Sequence, residues 1–252
     1  MSQSTFKDHF SSNAAGYATF RPHYPAELID YVASLAPGRT LVWDCATGNG
    51  QAAVPLAEKF ERVFASDASA EQISHATAHP RVTYAVGLSD ASGLDEGSAD
   101  LVTVAQALHW LPHDRFFAEV RRVLVPGGVL AVWCYMKPTL GDGALGKIFD
   151  RYYSETCKPY WAPERSLVDS GYSTIQMPFT DLDTPRFAIE AQMSLDDFAG
   201  YVRTWSATKN LAKAIGYDPV VELREELSGA WGPTSQVVRW PIRVRAGQVT
   251  VA

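Results

Sequence analysis

Apolar and polar positions along the chain change period near residue 40. Before it, Leu28, Ile29, Val32 and Leu35 recur at the three-to-four spacing of one helix face and predict a helix over 26–36, which Pro37-Gly38 ends. After it, short unbroken apolar runs take over. Leu41-Val42-Trp43 ending at Asp44, Val63-Phe64-Ala65 ending at Asp67, Val82–Val86, Leu101–Ala105 and Val129–Tyr135 each read as a buried strand. Helices are predicted between them over 51–60, 70–78 and 114–124, the last with Phe116, Phe117, Val120 and Leu124 on its inner face. Pro55 is awkward in the first of these, because proline is well tolerated only in the first turn of a helix. Pro126-Gly127-Gly128 marks a tight turn. Apolar strands alternating with helices predict a doubly wound α/β fold, with a mostly parallel sheet covered on both faces. In such folds the ligand lies at the carboxyl ends of the strands, near the switch point.

After Tyr135 the rhythm breaks. Residues 136–236 read as helix-rich and aromatic, with one strand near Phe187–Gln192, and Val237–Val244 reads as a closing strand. The expectation is a single domain over 1–252 with a seven-stranded sheet. It divides into an N-terminal cap and helix (1–37), a ligand-binding core (38–135), a helical lid insertion (136–236) and a closing strand with tail (237–252).

Composition supports an ordinary soluble core: of 252 residues, 46% are hydrophobic and 20% charged. Lys plus Arg is 22 against 28 Asp plus Glu, a net charge of −6, and there is no Lys/Arg run. A nucleic-acid partner is therefore not expected, since tracking a phosphate backbone needs many positive contacts. The first twenty residues hold no apolar stretch of the signal-peptide kind, and the longest apolar run, Val129 to Met136, is too short to cross a bilayer. No membrane partner is expected, and the cytoplasm is the expected location. Cys45, Cys134 and Cys157 are odd in number and widely spaced, which fits reduced thiols. His75 and His79 lack a carboxylate at zincin spacing, and Pro112 interrupts His109 and His113, so no metal site is expected. There is no G-x-S-x-G elbow for a hydrolase.

The chemistry concentrates at Asp44-Cys45-Ala46-Thr47-Gly48-Asn49-Gly50, between a strand and a helix. Gly48 and Gly50 allow a sharp turn and close approach of a ligand to the main chain, and the helix that follows offers free N–H groups to an anionic group. The same turn, through Gly48 to Ala53, fits the G-x-G-x-x-A form of a dinucleotide fingerprint, with Asp67 as the ribose-binding acid. An NAD(P)-binding oxidoreductase therefore stays open at this point. Against it, a carboxylate at Asp44 opposes pyrophosphate and suits a cationic group such as an α-ammonium. Ser89-Asp90 follows the third strand, and Gln106, His109 and Trp110 follow the fourth.

With these motifs the chain resembles the class I S-adenosylmethionine-dependent methyltransferases, in the broad small-molecule group that includes trans-aconitate methyltransferase-like proteins. The resemblance is carried by VWDCATGNG, ASD, DLVTVAQALHW and RVLVPGGVLAVW within residues 40–135. Tyr17 to Pro25 and Leu195 to Ala207 extend it. One departure is Ala46, where the family usually has glycine. The resemblance implies S-adenosylmethionine as cofactor and S-adenosylhomocysteine as product, in a Rossmann-like fold. By it, Asp44, Thr47, Gly48 and Gly50 line the methionine portion and Asp67 binds the ribose hydroxyls. Ala68 lies on the adenine, and Ser89 and Asp90 meet the adenine edge. Gln106 and His109 stand near the sulfonium and the acceptor, and Tyr17 and Arg21 come from an N-terminal lid.

Plainer roles compete. Asp67 fits a helix N-cap, Asp90 a solvated loop acid and His109 a packed histidine; Asp100 reads as a turn residue before the fourth strand. The acceptor is expected to be a small molecule, such as an organic acid methylated at a carboxylate oxygen. Arg203 and Arg21 would neutralise it, and Trp133, Tyr135, Tyr201 and Trp205 would wall it. His109 is the candidate base, needed only for a poor nucleophile. A non-catalytic S-adenosylmethionine-binding protein is the other alternative; Trp133 packed on Trp205 would favour it. The oligomeric expectation is a monomer or homodimer.

Overall fold

The computed structural model describes residues 23–250. Helix α1 (Ala26–Ser34) leads into β1 (Leu41–Cys45), and β2 (Arg62–Asp67), β3 (Val82–Val86), β4 (Ala99–Ala105) and β5 (Leu124–Tyr135) follow. Helices α2 (Ala53–Ala57), α3 (Ala70–Ser74) and α4 (His113–Val123) alternate with them. The strand order is β3-β2-β1-β4-β5, all parallel, so the switch point lies between β1 and β4. The long strand β8 (Gln236–Gln248) pairs antiparallel with β5. On its other edge β8 takes two short strands, β6 (Thr180–Leu182) and β7 (Phe187–Met193). The outermost sheet position is thus split between two strands, which makes eight where the sequence predicts seven.

The unbroken apolar runs follow from burial on both faces. Neighbours in β1 point opposite ways: Val42 joins the cluster that holds Leu28, Ile29 and Val32 of α1, and Trp43 joins the one that holds Phe116 and Val120 of α4. All three cysteines are buried and free, with Cys45 in β1 and Cys134 in β5.

Local chemistry moves several boundaries. The helix expected over 51–60 is only Ala53–Ala57, so Pro55 falls in its first turn and no helical N–H is lost. With so short a helix, little dipole backs an anion at the preceding turn. The helix expected over 70–78 stops at Ser74; Ser69 caps its start, accepting from the Gln72 N–H at 3.2 Å. Strand β4 begins at Ala99, so Asp100 lies in the strand and not in a turn. There it accepts the Thr40 and Leu41 N–H groups at 2.8 and 3.1 Å, clamping the entry to β1.

Between β5 and β8 lie α5 (Ala144–Arg151), α6 (Arg165–Asp169), α7 (Leu195–Arg203), α8 (Ser206–Ile215) and α9 (Val220–Trp231). A capping box starts α7: Ser194 accepts the Asp197 N–H at 3.1 Å and Asp197 accepts the Ser194 N–H at 3.3 Å. Helix α9 packs on α7 and α5, and α6 packs on the short turn Leu108–Trp110 that follows β4. No helix among the described residues is long and apolar enough to cross a membrane.

Candidate active site

The loop after β1 folds under steric and hydrogen-bond constraints that the sequence only hints at. Ala46, Gly48 and Gly50 all have positive φ, at 56°, 59° and 91°. At Gly50 a Cβ would come within 2.2 Å of the Tyr84 hydroxyl, itself donated to the Thr77 carbonyl at 2.8 Å. Glycine is required there twice over, by conformation and by space. Ala46 adopts the left-handed region despite its Cβ, which costs an L-residue about 1–2 kcal/mol. A glycine there would be free of that strain.

Asp44 ends β1 beneath this loop. It is fully buried and accepts the hydroxyls of Thr47 and Thr103 at 2.5 and 2.7 Å. Burial pushes its carboxyl up to about 6; the two threonine bonds pull the other way, and Asp67 adds a smaller push upward. Asp44 therefore does not line the ligand space, contrary to the sequence expectation. It holds Thr47, which does. Asp67, at the end of β2, accepts the Gly48 N–H at 2.9 Å and the Ser69 N–H at 2.8 Å. Ser69 is the helix cap, so Asp67 is left to fix the loop and face the cleft.

These loops open on a cleft of about 450 Å³ over the carboxyl ends of the strands. Of the residues expected there, Thr47, Gly48, Asp67, Ala68, Ser89, Asp90, Gln106, His109 and Tyr135 line it. Gln106, at φ 55°, ties β4 to β5: its N–H donates to the Trp133 carbonyl at 2.8 Å, and its side-chain oxygen accepts the Tyr135 N–H at 2.7 Å. Asp90 pairs with Arg115 at 3.1 Å, so it is not a solvated loop acid. His109 lies on the Leu108–Trp110 turn with its Nδ1 2.9 Å from the Tyr172 hydroxyl. Among the described residues no three His, Cys, Asp or Glu side chains gather as metal ligands.

Four expected acceptor residues are not at the cleft. Trp133 is fully buried with its ring edge-on to Tyr24 at 5.5 Å. Tyr201 accepts the Trp240 indole N–H at 2.9 Å, and Trp205 packs on Phe149, Tyr153 and Trp161. Arg203 points outward and pairs with Asp218 at 2.7 Å. For the three aromatics the cause is shared: Trp133, Tyr201 and Trp205 belong to one apolar cluster that the helices between β5 and β8 form with α1 and the sheet. Trp133 and Trp205 are not ring partners among the described residues, so the packing that would favour a non-catalytic protein is not seen. Tyr17 and Arg21 lie outside the described residues. Sequence reasoning missed Gln72, Leu88, Arg115 and Glu164 as lining residues. Arg115 is the partner that Asp90 needs; Glu164 sits in the lid, where no periodicity marks it.

The charge of the cleft decides between ligands. Asp67, Asp90 and Glu164 line it, and Arg115, already paired with Asp90, is the one lysine or arginine among the described lining residues. Among the described lining residues, a pyrophosphate would meet carboxylates and no cation besides the paired Arg115. A nucleoside whose diol donates to Asp67 and whose other end carries a sulfonium and an ammonium fits this charge.

Such a fold and site define a class I S-adenosylmethionine-dependent methyltransferase, and the chain belongs to that family. Residues 43–132 match the family model described as a methyltransferase domain. A Dictyostelium discoideum protein named as a methyltransferase is 35% identical over 232 residues, covering 91% of this chain and 88% of its own. A solved structure from Anaeromyxobacter dehalogenans, whose name assigns it as a type II methyltransferase, superposes with a TM-score of 0.87. It is 42% identical, over 92% of this chain and 100% of that one. A Saccharomyces cerevisiae protein named as an S-adenosylmethionine-dependent methyltransferase is 25% identical, over 79% of this chain and 81% of its own.

Proposed function

We propose that the chain methylates a small organic molecule, at a carboxylate oxygen of an organic acid. The carrying observation is the cleft itself: about 450 Å³ is space for small ligands, at the strand ends where such folds bind them. The cofactor supplies an electrophilic methyl group on its sulfonium. Thr47 and Gly48 hold its amino-acid end and Asp67 its ribose. Ala68, Ser89 and Asp90 surround its base, and Gln106 and Tyr135 stand towards the reacting end. Asp44, beneath them, keeps Thr47 in place and contributes negative charge under the cationic end. The protein's part is then alignment and exclusion of water. An ionised carboxylate is the acceptor that asks least of this site, because it arrives without a proton to remove. Arg203 has no part in holding it.

The test is transfer of labelled methyl from S-adenosylmethionine to a panel of small carboxylic acids, phenols and amines, followed by mild alkali. A methyl ester releases its label as methanol, whereas ethers and methylamines keep it. Alkali-labile product from acids is the expected result. Alkali-stable product alone, or label in protein, contradicts the proposal.

A further inference from the structure

His109 is held by a residue outside the recognisable motifs. Tyr172 follows α6 in the lid, is fully buried, and brings its hydroxyl to 2.9 Å from His109 Nδ1. Its backbone is strained: Gly171 and Tyr172 both have φ 61°, and for tyrosine that costs about 1–2 kcal/mol. Three bonds impose this conformation. The Tyr172 N–H donates to the Leu167 carbonyl at 2.8 Å, and Arg245 Nη1, from β8, donates to the Tyr172 and Ile175 carbonyls at 2.7 and 2.5 Å. Strain maintained this way beside a cleft residue points to a positional requirement.

The proton inventory then fixes the ring. The phenol keeps its proton, because burial pushes its pKa well above the usual tyrosine range. The hydroxyl proton therefore has His109 Nδ1 as its acceptor, and a buried O–H left without one costs about 1–3 kcal/mol.

We propose that Tyr172 is a positioning residue that locks neutral His109 in its Nε2–H tautomer, so that His109 gives the acceptor a hydrogen-bond donor and is not a base. This replaces the base role that the sequence suggested. The tautomer stands by itself; its use on an acceptor rests on the methyl-transfer proposal above. In the transfer step a carboxylate oxygen forms the new bond to the methyl carbon, the carbon–sulfur bond breaks, and its electron pair stays on the sulfur of S-adenosylhomocysteine. No proton moves. The acceptor's second oxygen takes the Nε2–H bond. The preferred class is thus an acceptor that arrives deprotonated and presents an oxygen lone pair.

The experiment is nitrogen NMR of the full chain with labelled histidine at about pH 8.5, where imidazole is neutral. His109→Gln assigns the resonances. The expected spectrum has a protonated Nε2 and an unprotonated, hydrogen-bonded Nδ1, and Tyr172→Phe shifts Nδ1 towards its unbonded position. A protonated Nδ1 in the wild type, or ring nitrogens unmoved by Tyr172→Phe, overturns the proposal. The wild-type spectrum decides the tautomer even if that variant fails to fold. Binding of S-adenosylmethionine is measured on the same sample; its absence would sink the methyl-transfer reading while leaving the tautomer measured. On an acid methylated in the panel, His109→Phe is expected to raise KM about tenfold with kcat nearly unchanged, the loss of one hydrogen bond to a charged group. A fall in kcat of about 100-fold or more is what loss of a base gives, and it overturns the donor role.

Discussion

At neutral pH Asp44 is a buried charge without a cationic partner among its described contacts, held by two hydroxyls. Its folded pKa, about 6, lies above the ordinary 3.8, so the native state binds the proton more tightly than the unfolded chain. Stability from this group is fully present below about pH 4 and is lost as pH climbs through about 6. The loss is on the order of 3 kcal/mol at neutral pH. Asp44→Asn is therefore expected to raise the melting temperature at pH 8 relative to pH 4.5 and to weaken S-adenosylmethionine binding at least tenfold. Melts at both pH values, with calorimetric titration, check the two halves; an Asn variant less stable at pH 8 and unchanged in affinity contradicts both. Gly50 is the second decisive residue. Gly50→Ala should lose more than about 2 kcal/mol, from positive φ and from the Tyr84 hydroxyl in the way. Adding Tyr84→Phe should return only part of it in urea melts, because the left-handed backbone remains. At this scale the sequence was informative where chemistry and conformation coincide, as at Gly48, Gly50 and Asp67. At Ala46 it marked a departure from the family's glycine, and the folded loop adds the reason that glycine suits the position, a positive φ.

Among elements, the parallel half of the sheet was legible because burial on both faces writes itself as unbroken apolar runs. Strands β1 to β5 all appear where those runs lie, with β4 and β5 extended at their starts. The lid was legible only as helix-rich and aromatic. Its aromatics pack on one another, as in Phe149, Trp205 and Tyr201, and an inward-facing tryptophan looks the same in sequence whether it meets a neighbour or a ligand. The three-residue β6 is too short for any period to register. One polar clamp between elements is testable. Glu119 of α4 accepts the Ser92 N–H and hydroxyl at 2.9 and 2.5 Å and pairs with Arg122 at 2.7 Å, which pulls its carboxyl down to about 2. A depressed acid stabilises above its ordinary 4.5, and the effect fades as pH falls towards 2. Glu119→Gln should thus destabilise by about 1–3 kcal/mol at pH 7 and by little at pH 3. Equal losses at both pH values in denaturant melts would assign the effect to packing instead.

At the scale of the whole molecule, a five-strand parallel core positions cofactor-binding loops at one edge. The segment with α5 and α6, between β5 and β6, brings Glu164 to the cleft and Tyr172 to His109, and α7 to α9 lie between β7 and β8. The two halves depend on each other through β8, whose Arg245 fixes Tyr172 while its backbone pairs with β5. This cleft is built to take S-adenosylmethionine through its carboxylates and not a dinucleotide through its glycines. Thermal unfolding in the presence of S-adenosylmethionine, S-adenosylhomocysteine, NAD and NADP, each alone, tests it most directly. A ligand at about 100 times its dissociation constant adds roughly 2.7 kcal/mol, which in a chain of this size is about 5–10 °C. The expected result is that shift with the first two and none with NAD or NADP. A shift with NAD or NADP, and none with S-adenosylmethionine, would contradict it.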